Sequence, residues 1–426
     1  MRVSWSPQSL VGLLAIVALC WAVSENRRAF PWKLAAVALL IQVVLVLLLF
    51  GLPQAQAALT GVNAAVDALA GSTQAGAQFV FGFLAGGDQP YAVTAQSPPF
   101  LFAFRVLPVI LVICALSALL WHWRILKWAT AAFGVVFQRT LGLRGPPALA
   151  VAATIFMGQV EGPIFIRSYL DRLTRSELFM LMAVGMSCVS GSTMVAYATI
   201  LASTLPNAAA HVLTASIISA PAGVLLARVL VPADPQEAKA PFEAGAEKSY
   251  DSAIDAVIKG TGDGLAVVMN VAATLIVFVA LIALADRILG AFPPVAGAPL
   301  SIERGLAIVF HPVAWALGLP WNEAAVGGKL LGVKLVLTEF TAFIQLGAIP
   351  AGELSERSRM IMTYALCGFA NIASVGINVA GFGVLAPNRR TEVQGLVWKA
   401  LLSGFLATCM TAAVVGALPL GLFGGR

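Results

Sequence analysis

The sequence predicts an all-α membrane protein: eight transmembrane helices plus two re-entrant helical hairpins of opposite orientation, forming an inverted repeat with interfacial helices at its edges. Three observations carry this expectation. Of 426 residues, 59% are hydrophobic and 11% charged, and the mean hydropathy is +0.90, too apolar for a water-facing surface. Apolar runs recur at about 8–24, 33–52, 100–121, 177–201, 208–230, 263–290, 358–384 and 396–420, each close to the ~20 residues that cross a bilayer. Finally, one polar design occurs twice: Gly158-Gln159-Val160-Glu161-Gly162-Pro163 then Arg175-Ser176-Glu177, and Thr338-Glu339-Phe340 then Ser355-Glu356-Arg357-Ser358. From Glu161 to Glu177 is 16 positions, and from Glu339 to Glu356 is 17.

Charge sets the orientation of the spans. Leu10 to Val23 is followed by Arg27, Arg28 and Lys33, whereas a signal peptide carries its positive charge in front, so this is a retained first span. Segment 53–98 holds no Lys or Arg, while Arg124, Lys127, Arg139 and Arg144 follow the third span. The former is therefore placed outside and the latter in the cytoplasm. Eight crossings then leave both termini on the periplasmic side. Arg167, Arg172, Arg175, the loop 232–261 and Arg389-Arg390 fall inside, as expected. Arg304, Arg357 and Arg359 fall outside, accompanied by Glu303, Glu353 and Glu356. The net charge of +6 lies in short clusters between spans rather than on one face, which is a topology signal and not a nucleic-acid surface.

Two further apolar stretches, about 146–170 and 321–348, are broken near their middles by polar residues, Gly or Pro. Counting either as a crossing spoils the charge pattern, so they are read as re-entrant hairpins, the first entering from the cytoplasm and the second from outside. Non-helical backbone at such tips is tolerated only where it is buried in protein or lines a polar cavity. Segments 123–145 and 301–316 are expected to lie in the two interfaces. The chain divides into 1–99 (two helices and a periplasmic segment), 100–262 (first core repeat) and 263–426 (second core repeat). Segment 53–87 is rich in Gly and Ala but interspersed with aromatic and aliphatic residues, and disorder is not predicted for it.

Glu161 and Glu339 lie near mid-membrane, where an ionised carboxylate costs at least ~2.5 kcal/mol. Either they hold a polar solute or a coupling cation, or they are structural caps or neutral acids; their occurrence in both hairpins favours function. Gln159 offers an amide donor and acceptor that suit the edge of a heterocyclic base, or else satisfies hairpin backbone. Two predicted spans are interrupted, one at Ser187-Cys188-Val189-Ser190-Gly191-Ser192 and the other at Gly368 to Ser374. Paired interrupted helices are the mark of a secondary transporter's binding site. Ser187, Ser190, Ser192 and Thr193 suit either binding or close helix packing, while Asn371 and Ser374, three apart, share a helical face. Phe369 is placed to wall a planar solute, although a lone Phe in a span is commonly packing.

Cys20, Cys114, Cys188, Cys367 and Cys409 show no pairing or metal-binding spacing, and His122, His211 and His311 are scattered. Neither a disulfide framework nor a metal site is predicted beyond a sodium site, and no prosthetic cofactor. Nucleotide-hydrolysis and Ser/His/Asp motifs are missing from the sequence.

These stretches resemble the concentrative nucleoside transporter family. The resemblance is carried by Gly158 to Pro163, by Leu354-Ser355-Glu356-Arg357-Ser358 with Tyr364-Ala365-Leu366-Cys367-Gly368-Phe369-Ala370-Asn371, and by Phe104-Arg105-Val106-Leu107-Pro108. It spans about residues 100–420. It implies a homotrimer in a bacterial inner membrane, with a transport domain moving against a scaffold that includes the third and sixth spans. It also implies that Gln159, Glu161 and Thr193 face a nucleoside base, that Glu339, Asn371 and Ser374 face the ribose hydroxyls, and that Phe369 shapes the pocket. A cation site would fall to Thr154, Met157, Cys188 and Ser192.

Sodium-driven members commonly have Asn where this chain has Thr154 and Thr338, and a small hydroxyl residue where it has Val160. A carboxylate in a low-dielectric site can take up a proton near neutral pH, so the proton is preferred to sodium as coupling ion. The expected function is cation-coupled nucleoside import by an elevator-type mechanism. The alternatives are transport of a nucleobase or nucleoside analogue by the same fold, or an intramembrane enzyme that uses the paired Glu residues. The enzyme is disfavoured because no nucleophile or metal set accompanies them.

Overall fold

The structure, a computed structural model, describes residues 7–88, 90, 101–143, 145–159, 161–164, 166–233, 250–294, 297, 299–350, 352–419 and 421. Every element among them is a helix. In chain order these begin with α1 (Pro7–Ala22), α2 (Trp32–Gly51), α3 (Pro53–Phe81), α4 (Phe102–Arg105), α5 (Leu107–His122) and α6 (Ile125–Leu141). Proline opens α3 at its first turn, where the missing N–H costs nothing. The Gly- and Ala-rich segment after the second span is thus a 29-residue helix, an element the sequence reading did not supply. Residues 91–100, which follow it, lie outside the described residues.

The first unit with a broken helix follows: α7 (Pro146–Met157) and the single turn α8 (Glu161–Ile164), then α9 (Arg175–Ser187) and α10 (Gly191–Leu201), then α11 (Ala208–Leu230). Thr174 starts α9 with a full capping box: its hydroxyl accepts from Glu177 N at 3.3 Å, and Glu177 Oε2 accepts from Thr174 N at 2.9 Å. The polar Arg-Ser-Glu seen in the sequence is therefore a helix start. Helix α12 (Ala253–Leu289) leads into α13 (Ile302–Leu317) and the second unit, α14 (Trp321–Val336), α15 (Glu339–Ala348), α16 (Glu356–Leu366), α17 (Ile372–Leu385) and α18 (Arg390–Ala417). Ser355, Thr338 and Asn371 cap α16, α15 and α17, accepting from Ser358 N, Thr341 N and Ser374 N.

The two ends of 321–349 meet at the start of α16. Glu323 Oε2, in the first turn of α14, accepts from Ser355 N and Oγ at 3.2 and 3.0 Å. Arg359 donates to the carbonyls of Leu346 and Ile349, at the end of α15, at 2.7 and 3.0 Å. The ends of α14 and α15 are thereby held together at one end of a helical hairpin. Lys334 on α14 is fully buried. Its Nζ donates to Ala365 O at 2.7 Å and Thr408 Oγ1 at 2.6 Å, and lies 5.5 Å from the Phe405 ring. The ammonium thereby ties the hairpin to the last turn of α16, where exposed carbonyls attract a cation.

Among the described residues, six stretches are long and apolar enough to cross a membrane: Trp32–Gly51, Phe102–His122, Arg175–Leu201, Ala208–Leu230, Ala253–Leu289 and Pro387–Ala417. The expected first span is a 16-residue apolar helix, and the expected 358–384 is two short helices either side of a break. Helices α13 and α14 meet at 117°. Burial divides the spans. Most of the span residues of α9, α10, α11 and α18 are enclosed by protein, whereas none along the apolar window of α12 is, and that helix packs chiefly along α5.

Candidate functional site

The two broken helices cross at their breaks. Helix α9 ends at Ser187 and α10 begins at Gly191; α16 ends at Leu366 and α17 begins at Ile372. Breaking a helix frees carbonyls that must be satisfied. Here Phe369 N donates to Cys188 O at 3.2 Å, so one break serves the other. Gly368 permits the crossing, because a Cβ there would stand 2.8 Å from Ser187 O and 2.5 Å from Thr408 Cγ2.

The first hairpin tip reaches this crossing through Gly158, whose φ of +98° is open to glycine and strained for other residues. It turns the chain after α7 and delivers Gln159 against α9, where a Cβ on Gly185 would lie 3.0 Å from the Gln159 Cβ. The second hairpin delivers Glu339 at the first turn of α15, where the helix N-terminus favours negative charge. Glu339 is buried, and both its oxygens accept: Oε1 from the Tyr197 hydroxyl at 2.8 Å and Oε2 from Asn371 Nδ2 at 2.5 Å. Tyr197 is itself held by stacking on Phe343, centroids 4.2 Å apart at 11°. Asn371 Oδ1 accepts from Ser374 N at 2.8 Å, so Asn371 both caps α17 and aims its amide at the carboxylate. Gln159 Nε2 donates to Ser374 Oγ at 3.2 Å, and Asn378 Nδ2 donates to Gln159 Oε1 at 2.8 Å.

These groups border a cavity of about 650 Å³, a size that holds a small organic molecule. Gln159, Thr193, Glu339, Phe369, Asn371 and Ser374 all line it, as do Met157 and Ser192. The Glu161 side chain lies outside what the structure describes. Phe369 stands beside the hairpin tip, its Cε2 3.5 Å from where a Cβ on Gly158 would be. Thr193 Oγ1 donates to Ser190 O at 2.8 Å and sits 3.1 Å from Ser190 Oγ, which is 3.0 Å from Ser192 Oγ. Thr154 and Cys188 lie behind the wall. The Thr154 hydroxyl donates to Ala150 O at 2.7 Å, and Gly162 packs directly over it; the Cys188 thiol donates to Ser216 O at 3.6 Å.

The opposite wall comes from α5 and α12, with Ser117, Trp121, Asp263 and Asn270. The sequence reading missed these, and it missed Tyr197, Asn378 and Lys334. A signal existed for two of them. Asn378 continues the face of Asn371 and Ser374 at the i, i+3, i+7 spacing, and a lysine within a membrane hairpin is a functional candidate by default.

A largely apolar cavity with a few converging polar groups at the crossing of two broken helices, inside a bundle of apolar spans, points to a secondary transporter. Comparison with known proteins makes the class specific. Family models described as Na+ dependent nucleoside transporter N-terminus and C-terminus match residues 11–84 and 211–416, and one described as nucleoside recognition matches 103–204. The nucleoside permease NupC of Helicobacter pylori is 33% identical over 96% of each chain. The transporter YutK of Bacillus subtilis is 36% identical over 98% of this chain and 99% of its own. Sodium/nucleoside cotransporter 1 of Rattus norvegicus is 30% identical over 96% of this chain and 63% of its own. The solved structure of CNTnw in an inward-facing substrate-bound state superposes with a TM-score of 0.88 at 32% identity over 98% of both chains, and an outward-facing variant of CNTnw with a TM-score of 0.90. The chain belongs to the concentrative nucleoside transporter family. It is a multi-pass membrane transporter, not an enzyme.

Proposed function

We propose that this protein imports nucleosides across a bacterial inner membrane, coupled to a cation, by elevator-type alternating access. The observation that carries the substrate reading is Glu339. Its two oxygens, oriented by Tyr197 and Asn371, keep further lone pairs for hydroxyl donors, as the paired hydroxyls of a ribose require. Gln159, Glu161 and Thr193 take the base, Asn371 and Ser374 complete the sugar end, and Phe369 walls the ring. Relatives named as nucleoside permeases and sodium/nucleoside cotransporters support the same substrate class.

The eight-span, two-hairpin inverted repeat is the topology we assign, with 1–99 preceding core repeats 100–262 and 263–426 and both termini periplasmic. The unburied surface of α12 supports its place in a central scaffold of a homotrimer, with the third span beside it. We assign the proton as driving ion. Of the four candidate sodium ligands, the Thr154 hydroxyl is covered by Gly162 and the Cys188 carbonyl already accepts from Phe369. The family models and mammalian relatives are described as sodium-dependent, which makes sodium the competing assignment.

The test of the substrate reading is equilibrium binding of uridine, uracil and ribose to purified protein. Uridine binding at least tenfold tighter than uracil supports the ribose assignment. Equal binding of uracil and uridine would replace the nucleoside by a nucleobase.

A further inference from the structure

We infer that Asn378 is a positioning residue that fixes Gln159 as a hydrogen-bond donor to the base, so that the site selects nucleosides with a carbonyl rather than an amino group on the contacted base edge. This rests on the nucleoside reading above and deepens it.

The Ser374 main-chain carbonyl can only accept a hydrogen bond. The Asn378 amide end facing it, 3.2 Å away, must therefore be Nδ2. The same nitrogen lies 2.8 Å from the Gln159 amide, whose facing atom must then be the acceptor Oε1. Gln159 Nε2 is thereby turned to the other side, where one of its hydrogens goes to Ser374 Oγ at 3.2 Å. Because Ser374 Oγ accepts that bond, its own proton is free to be donated. Gln159 and Ser374 both line the cavity, so Gln159 presents an N–H donor toward the base, while Ser374 Oγ, on the sugar side with the acceptors of Glu339, keeps its own proton to donate.

Asn378 itself is fully buried, and its Oδ1 has no hydrogen-bond partner among the described residues. A buried acceptor without a donor is destabilising, and packing alone would be served as well by leucine. What asparagine supplies there is direction. Without it, the Gln159 amide could rotate by half a turn and present its oxygen instead.

A carbonyl on the base accepts from Gln159, whereas an amino group in the same place sets donor against donor and leaves both unpaired. The experiment is calorimetric binding of two matched pairs, uridine with cytidine and inosine with adenosine, to wild-type protein and to Asn378→Leu and Asn378→Asp, with melting temperatures recorded. Wild type should bind the oxo member of each pair at least about tenfold more tightly. Asn378→Leu should reduce that ratio below threefold, and Asn378→Asp, which only accepts when ionised, should reverse it at a pH high enough to ionise the buried carboxyl. A wild-type ratio near one overturns the inference without any variant. So does a folded variant that keeps the wild-type ratio, including one that weakens both members equally. Failure of wild type to bind any of the four overturns the nucleoside reading itself and is distinguishable for that reason.

Discussion

The hydroxyl of Tyr197 on α10 donates to Glu339 Oε1 across 2.8 Å, joining the broken helix of the first unit to the hairpin of the second. The carboxylate is thus oriented by a residue 142 positions away in the chain. Tyr197→Phe should retain the stacking on Phe343 while removing this donor. We expect uridine affinity to fall by about 1.5 kcal/mol, roughly tenfold, with expression and thermal stability near wild type. Unchanged affinity in a binding titration would show that Asn371 alone orients Glu339.

Glu339→Gln should weaken binding further, because an amide cannot accept two hydroxyl protons as a carboxylate does. Loss of a charged partner in a buried hydrogen bond is worth ~1.5–3 kcal/mol, or about ten- to a hundredfold in affinity. Insertion and oligomer size should be unaffected. Normal nucleoside binding by the purified variant would remove the ribose assignment.

Lys334→Met tests the anchoring of the second hairpin. Methionine fills the volume but leaves Ala365 O and Thr408 Oγ1 without the ammonium that now reaches both. The expected cost is about 1.5–3 kcal/mol for each lost charged hydrogen bond, seen as a lowered melting temperature whether or not substrate is present. A wild-type melting curve would mean that the lysine contributes nothing to stability.

Topology is testable by labelling. Cysteines introduced near residues 60 and 424 should react with an impermeant reagent from the periplasm, and one near residue 245 should not. Cys114 lines the cavity while the other four native cysteines are buried, so the background should carry Cys114→Ala. Labelling at 245 alone would invert the assigned orientation.

Most of the helical order was legible in the sequence because apolar length responds to the bilayer directly. The breaks at 188–190 and 367–371, and the tips at Gln159 and Glu339, were legible because polar residues in apolar surroundings need a reason. Helix α3 was not, because Gly and Ala are ambiguous in composition although the helix forms. Tyr197 and Lys334 were passed over because each sits alone in an apolar run, and their partners, Glu339, Ala365 and Thr408, are distant in sequence. Asn378 was hidden differently: its face could be read, but its contact with Gln159 spans 219 positions.

The central claim is cation-coupled nucleoside transport, and proteoliposomes with imposed gradients test it most directly. Labelled uridine and adenosine uptake should be measured with a pH gradient in sodium-free buffer and, separately, with an inward sodium gradient at fixed pH. The account predicts accumulation of chemically unchanged nucleoside driven by the proton gradient without sodium. Accumulation with sodium alone would overturn the proton and leave the transporter, whereas no accumulation of either nucleoside under either gradient would contradict the account.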